Sequence, residues 1–229
     1  AITGIVYLMI TLGHIGNIVI PRPGIHDYEV SYLIPNSEAE KGFWDHQYQQ
    51  LFSLNFLSPI EEAIETHINE DIGYFGLRSH PVDPKRAYYH IGIELDFNTP
   101  VGVTPISSGV LEYSGYGAIN GFYTLISHPD VVTEDGYVLH TMYCHLKKPL
   151  LGFSSYQKML REISLGSYPI IPVGEKDVLG ITGSSGVVED DAPKLYIQID
   201  FRKYDETPIV IDPFRVLTGN VKKNISSLK

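Results

Sequence analysis

Residues 191–201 read DAPKLYIQIDF, a run in which apolar and polar side chains alternate. Alternation with β-branched and aromatic residues is typical of a β-strand that buries one face. Because side chains in a strand repeat every two residues, Lys194 and Tyr196 project on the same side. Neither residue identifies an active site by itself, so their role depends on what the neighbouring strands place beside them.

The segments before this run predict further strands. They are alternating or rich in β-forming residues, and Gly, Pro, Ser and Asp separate them: 88–97 (YYHIGIELDF), 104–115 (TPISSGVLEYSG), 121–129 (GFYTLISHP), 137–146 (YVLHTMYCHL) and 178–186 (VLGITGSSG). Short strands bounded by turn residues are typical of an antiparallel sheet. The sequence therefore predicts a mainly β domain.

Two segments predict helices. In residues 58–73 (SPIEEAIETHINEDIG), Ser58 could cap a helix, Pro59 could occupy its first position and Gly73 could end it. Residues 150–171 (LLGFSSYQKMLREISLGSYPII) read as a single helix with a glycine terminator. Neither segment contributes a candidate site residue.

Composition excludes several functions. The 229 residues carry a formal charge of -10, which argues against nucleic acid or an anionic membrane surface as partner. With 16 Tyr, 15 Pro and 21 Gly, the chain suits short strands and turns. Cys144 is the single cysteine, so an internal disulfide and a multi-thiolate zinc site are excluded.

The first 12 residues, AITGIVYLMITL, form an apolar run that is too short to span a bilayer, which requires about 20 residues. We interpret the run as a buried strand; a trimmed signal or anchor is the alternative. No transmembrane segment is predicted. Residues 1–72 read as a small α/β extension of unclear role: a pro-segment, a docking lobe or additional packing elements.

Histidines provide the candidate chemistry. His90 and Glu94 lie four apart on one face of a strand, about 13 Å apart if the strand is straight. Gly92 between them allows a bulge or bend that would bring them together; two partly exposed polar residues are the alternative. His140 and His145 lie five apart, on opposite faces of a regular strand, so only one of them can join a site on a given face.

Taken in order, these segments resemble the motifs of the lysostaphin/LytM-type zinc metallopeptidases. The resemblance runs from residue 73 to about 217 and rests on FGLRSHP (75–81), HIGIEL (90–95), YCHL (143–146), LGITGSSG (179–186), PKLYIQ (193–198) and IVIDPFRVL (209–217). It implies an antiparallel β-sheet of the duplicated-hybrid-motif type with a groove. The predicted organisation is an extension over 1–72, a LytM-like domain over 73–217 and a tail over 218–229.

The resemblance also assigns site positions. Active members hold zinc with the His and Asp of H-x-G-x-D and the second His of H-x-H, and two further histidines assist the attack of metal-bound water on a peptidoglycan peptide. Here His90 matches the first ligand, Glu94 replaces the ligand Asp and Tyr196 replaces the third ligand. Lys194 replaces one catalytic histidine, and His145 retains the other.

The replacements differ in severity. Glutamate keeps a carboxylate, whereas ionising a phenol at pH 7 costs roughly 4 kcal/mol and an ammonium repels a dication. Lys194 could take the position of the metal and pair with Glu94, with Tyr196 donating a hydrogen bond to the carboxylate. In the alternative, phenolate and a deprotonated lysine act in a shifted site of His90, Glu94 and His145, with Asp96 nearby.

We therefore predict a degenerate, non-catalytic member that binds peptidoglycan or regulates a partner hydrolase in the bacterial cell envelope. No cofactor is predicted, with zinc expected only if the site is retained. The alternatives are an active zinc metalloendopeptidase with an altered ligand set, and a phosphocarrier-like or other binding domain of the same fold. The candidate groove residues are Arg78, His80, His128 and Tyr143.

Overall fold

A computed structural model describes residues 51, 54, 56–70, 73–79, 87–149, 170–186, 191–204, 206 and 208–218. The predicted helix over 150–171 lies outside the described residues except for its last two, which are not helical. The first 12 residues, which we interpret as a buried strand, and His80 also lie outside the described residues. Side chains of residues 77–79 and 87–89 are not described, and Arg78 is among these.

Eleven strands make up most of the described chain. They are β1 (Gly76–Ser79), β2 (Ala87–His90), β3 (Gly92–Asp96), β4 (Gly102–Val103), β5 (Gly109–Gly117), β6 (Gly121–Val132), β7 (Val138–Pro149), β8 (Pro172–Val173), β9 (Gly180–Thr182), β10 (Lys194–Arg202) and β11 (Ile209–Ile211). Each segment predicted to be a strand contains at least one of them. The mainly β fold class is thus confirmed.

The strands pair antiparallel. β1 and β2 form a small sheet of their own, and a nine-stranded sheet runs in the order β11-β10-β7-β6-β5-β8. β3 also pairs with β10, while β9 pairs with β4 and β7. On one side of β10, β3 covers residues 194–198 and β11 covers residues 199–201. β7 borders β10 on its other side over residues 196–202.

β10 is buried on both faces, and the candidate site residues lie on one of them. Its apolar face carries Leu195, Ile197 and Ile199, each completely buried in the core. Its opposite face carries Lys194 and Gln198, which are buried although they are polar. Buried polar groups require partners, so this second face must hold a polar network.

The predicted helix over residues 58–73 is wrong, because most of this segment is not helical. Only a 3₁₀ turn at Ile64–Thr66 is present. The backbone that follows instead bonds to β3: the N–H of Asp96 donates to the carbonyl of His67, and the N–H of Glu94 donates to the carbonyl of Gly73. Sheet pairing therefore overrides the local helix signals.

The segment before residue 73 packs on the strands. Its apolar side chains Leu51, Phe56, Ile60 and Ile64 belong to the same buried core as Leu95. The boundary at residue 73 therefore separates sequence patterns within one packed core, and its role as a domain boundary stays a prediction. At the other end, a helix over 213–218 begins after Asp212, whose Oδ1 accepts from the N–H of Phe214 as an N-cap.

Candidate functional site

The HIGIEL segment divides between two sheets. His90 ends β2 in the small sheet and Gly92 begins β3 in the large one. The straight strand that would hold His90 and Glu94 about 13 Å apart is therefore interrupted between them. The Nδ1–H of His90 donates to the carbonyl of Tyr74 at 2.9 Å, which fixes the ring by its inner nitrogen.

Tyr196 lies between the two site histidines. Its ring centroid is 5.4 Å from that of His90 and 6.4 Å from that of His145. Its hydroxyl points along β10 and donates to Gln198 Oε1 at 3.5 Å. The ring therefore stands among the residues that the LytM resemblance assigns to the zinc site.

Lys194 forms the electrostatic centre of the site. Its residue is only 2% exposed, and its ammonium lies 2.9 Å from Asp96 Oδ1 and 3.5 Å from Glu94 Oε1. Lys194 and Asp96 are direct cross-strand partners of β10 and β3, which explains why the shorter contact is to Asp96. The predicted pairing with Glu94 is present, but Asp96 is the stronger partner.

A polar row continues along β10 beyond Tyr196. Gln198 Nε2 donates to Asp200 Oδ2 at 2.8 Å, and Arg202 donates to both oxygens of the same carboxylate at 2.6 and 3.0 Å. Burial raises the pKa of Asp200, but the charge and hydrogen bonds of Arg202 outweigh it and leave the pKa below its ordinary value. Because the amide nitrogen of Gln198 donates to the Asp200 carboxylate, the amide oxygen faces Tyr196 and accepts a hydrogen bond from the phenol.

His145 has a left-handed backbone conformation, with φ 62°. This conformation breaks the side-chain alternation of β7, so the expectation that His140 and His145 lie on opposite faces is wrong. His140 is the cross-strand partner of Asp200, and His145 packs against Tyr196 on the same face of β10.

The chemistry of His145 is well defined. Its Nδ1–H donates to the carbonyl of Ser185 at 2.9 Å, which leaves the lone pair on Nε2. Burial lowers the pKa of His145 below its ordinary value, although the Ser185 carbonyl and the charge of Glu94 partly oppose the shift. The ring is therefore a neutral hydrogen-bond acceptor at neutral pH.

The arrangement does not fit zinc. Within the described part of the chain, no three His, Cys, Asp or Glu side chains converge as a metal site requires. A zinc ion bound to Glu94 at about 2 Å would lie within about 6 Å of the Lys194 ammonium, since that ammonium is 3.5 Å from Glu94 Oε1. At an effective dielectric constant of about 20, the repulsion is on the order of 6 kcal/mol.

Two of the candidate groove residues, Tyr143 and His128, lie in the protein interior and not at a surface. Tyr143 is completely buried, and its hydroxyl accepts the N–H of Ile106 at 3.0 Å. His128 is also completely buried, between the carbonyl of Ser108 and the hydroxyl of Thr141. Neither side chain offers surface to a groove ligand.

Several residues that complete the site were not foreseen. Asn69 donates to Asp96 Oδ2 at 2.6 Å, Ser185 supplies the carbonyl that orients His145, and Gln198 accepts a hydrogen bond from Tyr196. Ser185 lies in the LGITGSSG turn and Gln198 in PKLYIQ, so both motifs were recognised without a role for these residues. No motif indicates a role for Asn69, which lies in the segment predicted to be a helix.

The antiparallel sheet gathers His90, Glu94, His145, Lys194 and Tyr196 at one place, as the order of motifs predicted. No protein-family model matches the chain, and no curated protein matches it.

Solved structures do resemble it. A zinc-containing peptidase from Vibrio cholerae is 19% identical with a TM-score of 0.47, and the match covers 69% of this chain and 39% of that one. A SpoIIIAH–SpoIIQ complex chain is 14% identical with a TM-score of 0.48, covering 71% of this chain and 100% of that one. Lysostaphin is 20% identical with a TM-score of 0.40, covering 66% of this chain and 54% of lysostaphin.

This chain thus covers less than two thirds of the length of the Vibrio cholerae peptidase and of lysostaphin. Within the described residues, no helix has the length and apolar character needed to cross a membrane.

Proposed function

We propose that this chain is a LytM-type domain that binds a peptidoglycan peptide in the bacterial cell envelope without zinc-dependent hydrolysis. The groove inherited from the peptidase fold is the binding surface, and the same surface would hold a partner hydrolase. Lys194 and Tyr196 then maintain the shape and charge of the groove in place of a metal ion.

The observation that carries this proposal is the buried ammonium of Lys194 beside Asp96 and Glu94. The ammonium already compensates one of the two carboxylate charges, and a second cation would have to overcome its repulsion. The third ligand position carries a phenol that donates a hydrogen bond to Gln198 Oε1. A neutral phenol is a poor zinc ligand, because ligation requires its deprotonation.

Zinc titration calorimetry on protein purified without chelator tests the first half of the proposal. We expect the wild type to take up less than one equivalent of zinc. We expect the combined change Glu94→Asp, Lys194→His and Tyr196→His to bind one equivalent, because it supplies the ligands that zinc prefers. A full equivalent bound tightly by the wild type would overturn the proposal.

Co-sedimentation with insoluble peptidoglycan tests the second half. The wild type should pellet with the polymer, and soluble peptidoglycan fragments should compete it into the supernatant. A protein that stays in the supernatant at every polymer concentration would show that the groove has another ligand class.

A second candidate is a zinc metalloendopeptidase with an altered ligand set. The observation in its favour is His145, a neutral ring that is oriented by a backbone carbonyl and carries its lone pair on Nε2, as a general base requires. Release of amines from peptidoglycan, abolished by a chelator and restored by zinc, would establish this activity. Its absence at all zinc concentrations would reject it.

A further inference from the structure

Ser185 lies where three parts of the chain meet beside His145. Its hydroxyl accepts the N–H of Phe122 at 2.8 Å and donates to the carbonyl of Leu146 at 2.7 Å. Its own carbonyl accepts the Nδ1–H of His145 at 2.9 Å. All three distances are those of ordinary hydrogen bonds. One serine therefore joins β6, β7 and the imidazole of the candidate site.

The position of residue 185 depends on its own side chain. A serine hydroxyl has one donor and can accept at the same time, so it can bond the Phe122 N–H and the Leu146 carbonyl together. An alanine at position 185 would remove both bonds, and each partner would lose a hydrogen bond in a part-buried region. The carbonyl that meets His145 belongs to the same residue, so the hydroxyl also fixes that carbonyl.

The hairpin between β5 and β6 presses against Ser185. Gly121 has φ 61°, and an ideal Cβ on it would lie 2.2 Å from both the carbonyl oxygen and the Oγ of Ser185. Only a glycine allows this approach. The neighbouring Asn120 accepts the N–H of His145 through its carbonyl at 2.9 Å. His145 is thus held at two points, by the hairpin through its backbone and by Ser185 through its ring.

The Ser185 carbonyl determines which nitrogen of His145 carries the proton. A neutral imidazole has one protonated nitrogen, and the hydrogen bond of one nitrogen sets the state of the other. A carbonyl can only accept, so Nδ1 is protonated and Nε2 keeps the lone pair. A neutral histidine side chain in water prefers the opposite arrangement, with the proton on Nε2. The contact with Ser185 therefore reverses the intrinsic preference of the ring.

We propose that Ser185 is a positioning residue for His145: its hydroxyl holds the carbonyl that keeps the imidazole proton on Nδ1 and leaves Nε2 as an acceptor. The inference is independent of the proposed function, because it holds whether Nε2 accepts a hydrogen bond from a bound ligand or takes a proton as a general base. It gives the LGITGSSG turn a chemical role in the site.

The imidazole nitrogen resonances of His145, measured by NMR near neutral pH, test this inference. Burial lowers the pKa of His145, so the ring is neutral under these conditions. The His145 signals are identified by their loss in His145→Asn, since asparagine tolerates a left-handed backbone. In the wild type, Nδ1 should resonate as a protonated nitrogen and Nε2 as an unprotonated one. In Ser185→Ala the two resonances should move towards each other or exchange places, as the proton moves to Nε2.

Three further variants separate this role from a general effect on the fold. Ser185→Thr keeps the hydroxyl and should restore the wild-type resonances. Ser184→Ala is the matched control, because it removes the neighbouring hydroxyl of the same half-buried turn, and it should leave both resonances unchanged. Ser185→Cys keeps the size of the side chain with a weaker donor, and it should show the same change to a smaller extent. Thermal unfolding verifies that each variant is folded.

Several results would overturn the inference. An unprotonated Nδ1 in the wild type would show that the Ser185 carbonyl does not set the tautomer. Wild-type resonances in folded Ser185→Ala, or equal changes in Ser184→Ala and Ser185→Ala, would show that the Ser185 hydroxyl does not position the ring. The resonances are measured without ligand, so a failure to bind peptidoglycan would overturn the proposed function and leave this inference standing.

Discussion

The ring of Tyr196 packs against the backbone of Gly92, in the space where any other residue at position 92 would carry its Cβ. An ideal Cβ on Gly92 would lie 2.5 Å from Tyr196 Cζ and would also collide with the carbonyl oxygen of Ile197. Glycine is required here by this close approach, because only hydrogen fits between the two strands. The glycine of the HIGIEL segment is therefore matched to the tyrosine of PKLYIQ.

Gly92→Ala should lower the free energy of unfolding by about 1–3 kcal/mol, the usual cost of overpacking a buried site. Urea denaturation measures the change. Gly102→Ala is the control, because a Cβ there would meet nothing closer than Val178 Cγ1 at 3.9 Å. Equal effects of the two substitutions would contradict the packing of Tyr196 on Gly92.

Lys194→Met should destabilise the fold by about 2–3 kcal/mol. It leaves two carboxylates without their shared cation, and the value is reduced from that of a fully buried pair because Asp96 is partly exposed. The control is Lys203→Met, which removes the pair between Lys203 and Glu206, two side chains that are 38% and 41% exposed. That change should cost much less, because solvent screens an exposed ion pair. If the two lysine substitutions have the same cost, the Lys194 pair does not stabilise the site.

Backbone strain at His145 gives a third prediction. A β-branched residue is strongly disfavoured at φ 62°, so His145→Ile should be less stable than His145→Asn by about 1–2 kcal/mol. Thermal unfolding of the two variants compares them directly. A more stable isoleucine variant would mean that the backbone at this position is extended.

The stability of the fold should fall in mild acid. Burial lowers the pKa of His128 from 6.5 to about 4, so the unfolded chain takes up a proton at a higher pH than the folded chain does. The stabilisation is fully present above pH 6.5 and is lost as the pH falls towards 4. Between pH 7 and pH 4.5 the loss is about 2 kcal/mol from this residue.

His128→Gln should reduce this pH dependence while lowering stability at pH 7, since glutamine does not titrate but fits the hydrogen bonds less well. His145, whose pKa is also lowered by burial, contributes in the same direction and will keep part of the slope. Urea unfolding at several pH values measures both proteins. An unchanged slope in the variant would assign the acid sensitivity to other groups.

Much of the sheet could be predicted from the sequence, because alternation and turn residues report directly on strands. Motif order also predicted that His90, Glu94, His145, Lys194 and Tyr196 would meet. The wrong predictions concern features that tertiary contacts decide. The helix signals around Ser58 are local, and the pairing of that segment with β3 overrides them.

Two details of the site were inaccessible for physical reasons. The left-handed backbone at position 145 occurs at a histidine, whereas glycine is the residue that usually marks this conformation. The sequence therefore predicts regular alternation of side chains along β7. The preference of Lys194 for Asp96 over Glu94 depends on the register between β3 and β10. A single-residue shift of that register would reverse the side-chain faces, and the sequence alone does not fix it.

The divided pairing along β10 has a mechanical consequence. Residues 194–198, which carry Lys194 and Tyr196, are flanked by β3, whereas residues 199–201 are flanked by β11. Loss of the β3 hydrogen bonds would free one edge of residues 194–198, while β7 and β11 keep the rest of the strand in the sheet. The pairing partner of β10 thus changes between residues 198 and 199, so the end of the strand that carries Lys194 and Tyr196 can separate from β3 without disturbing the pairing of residues 199–201.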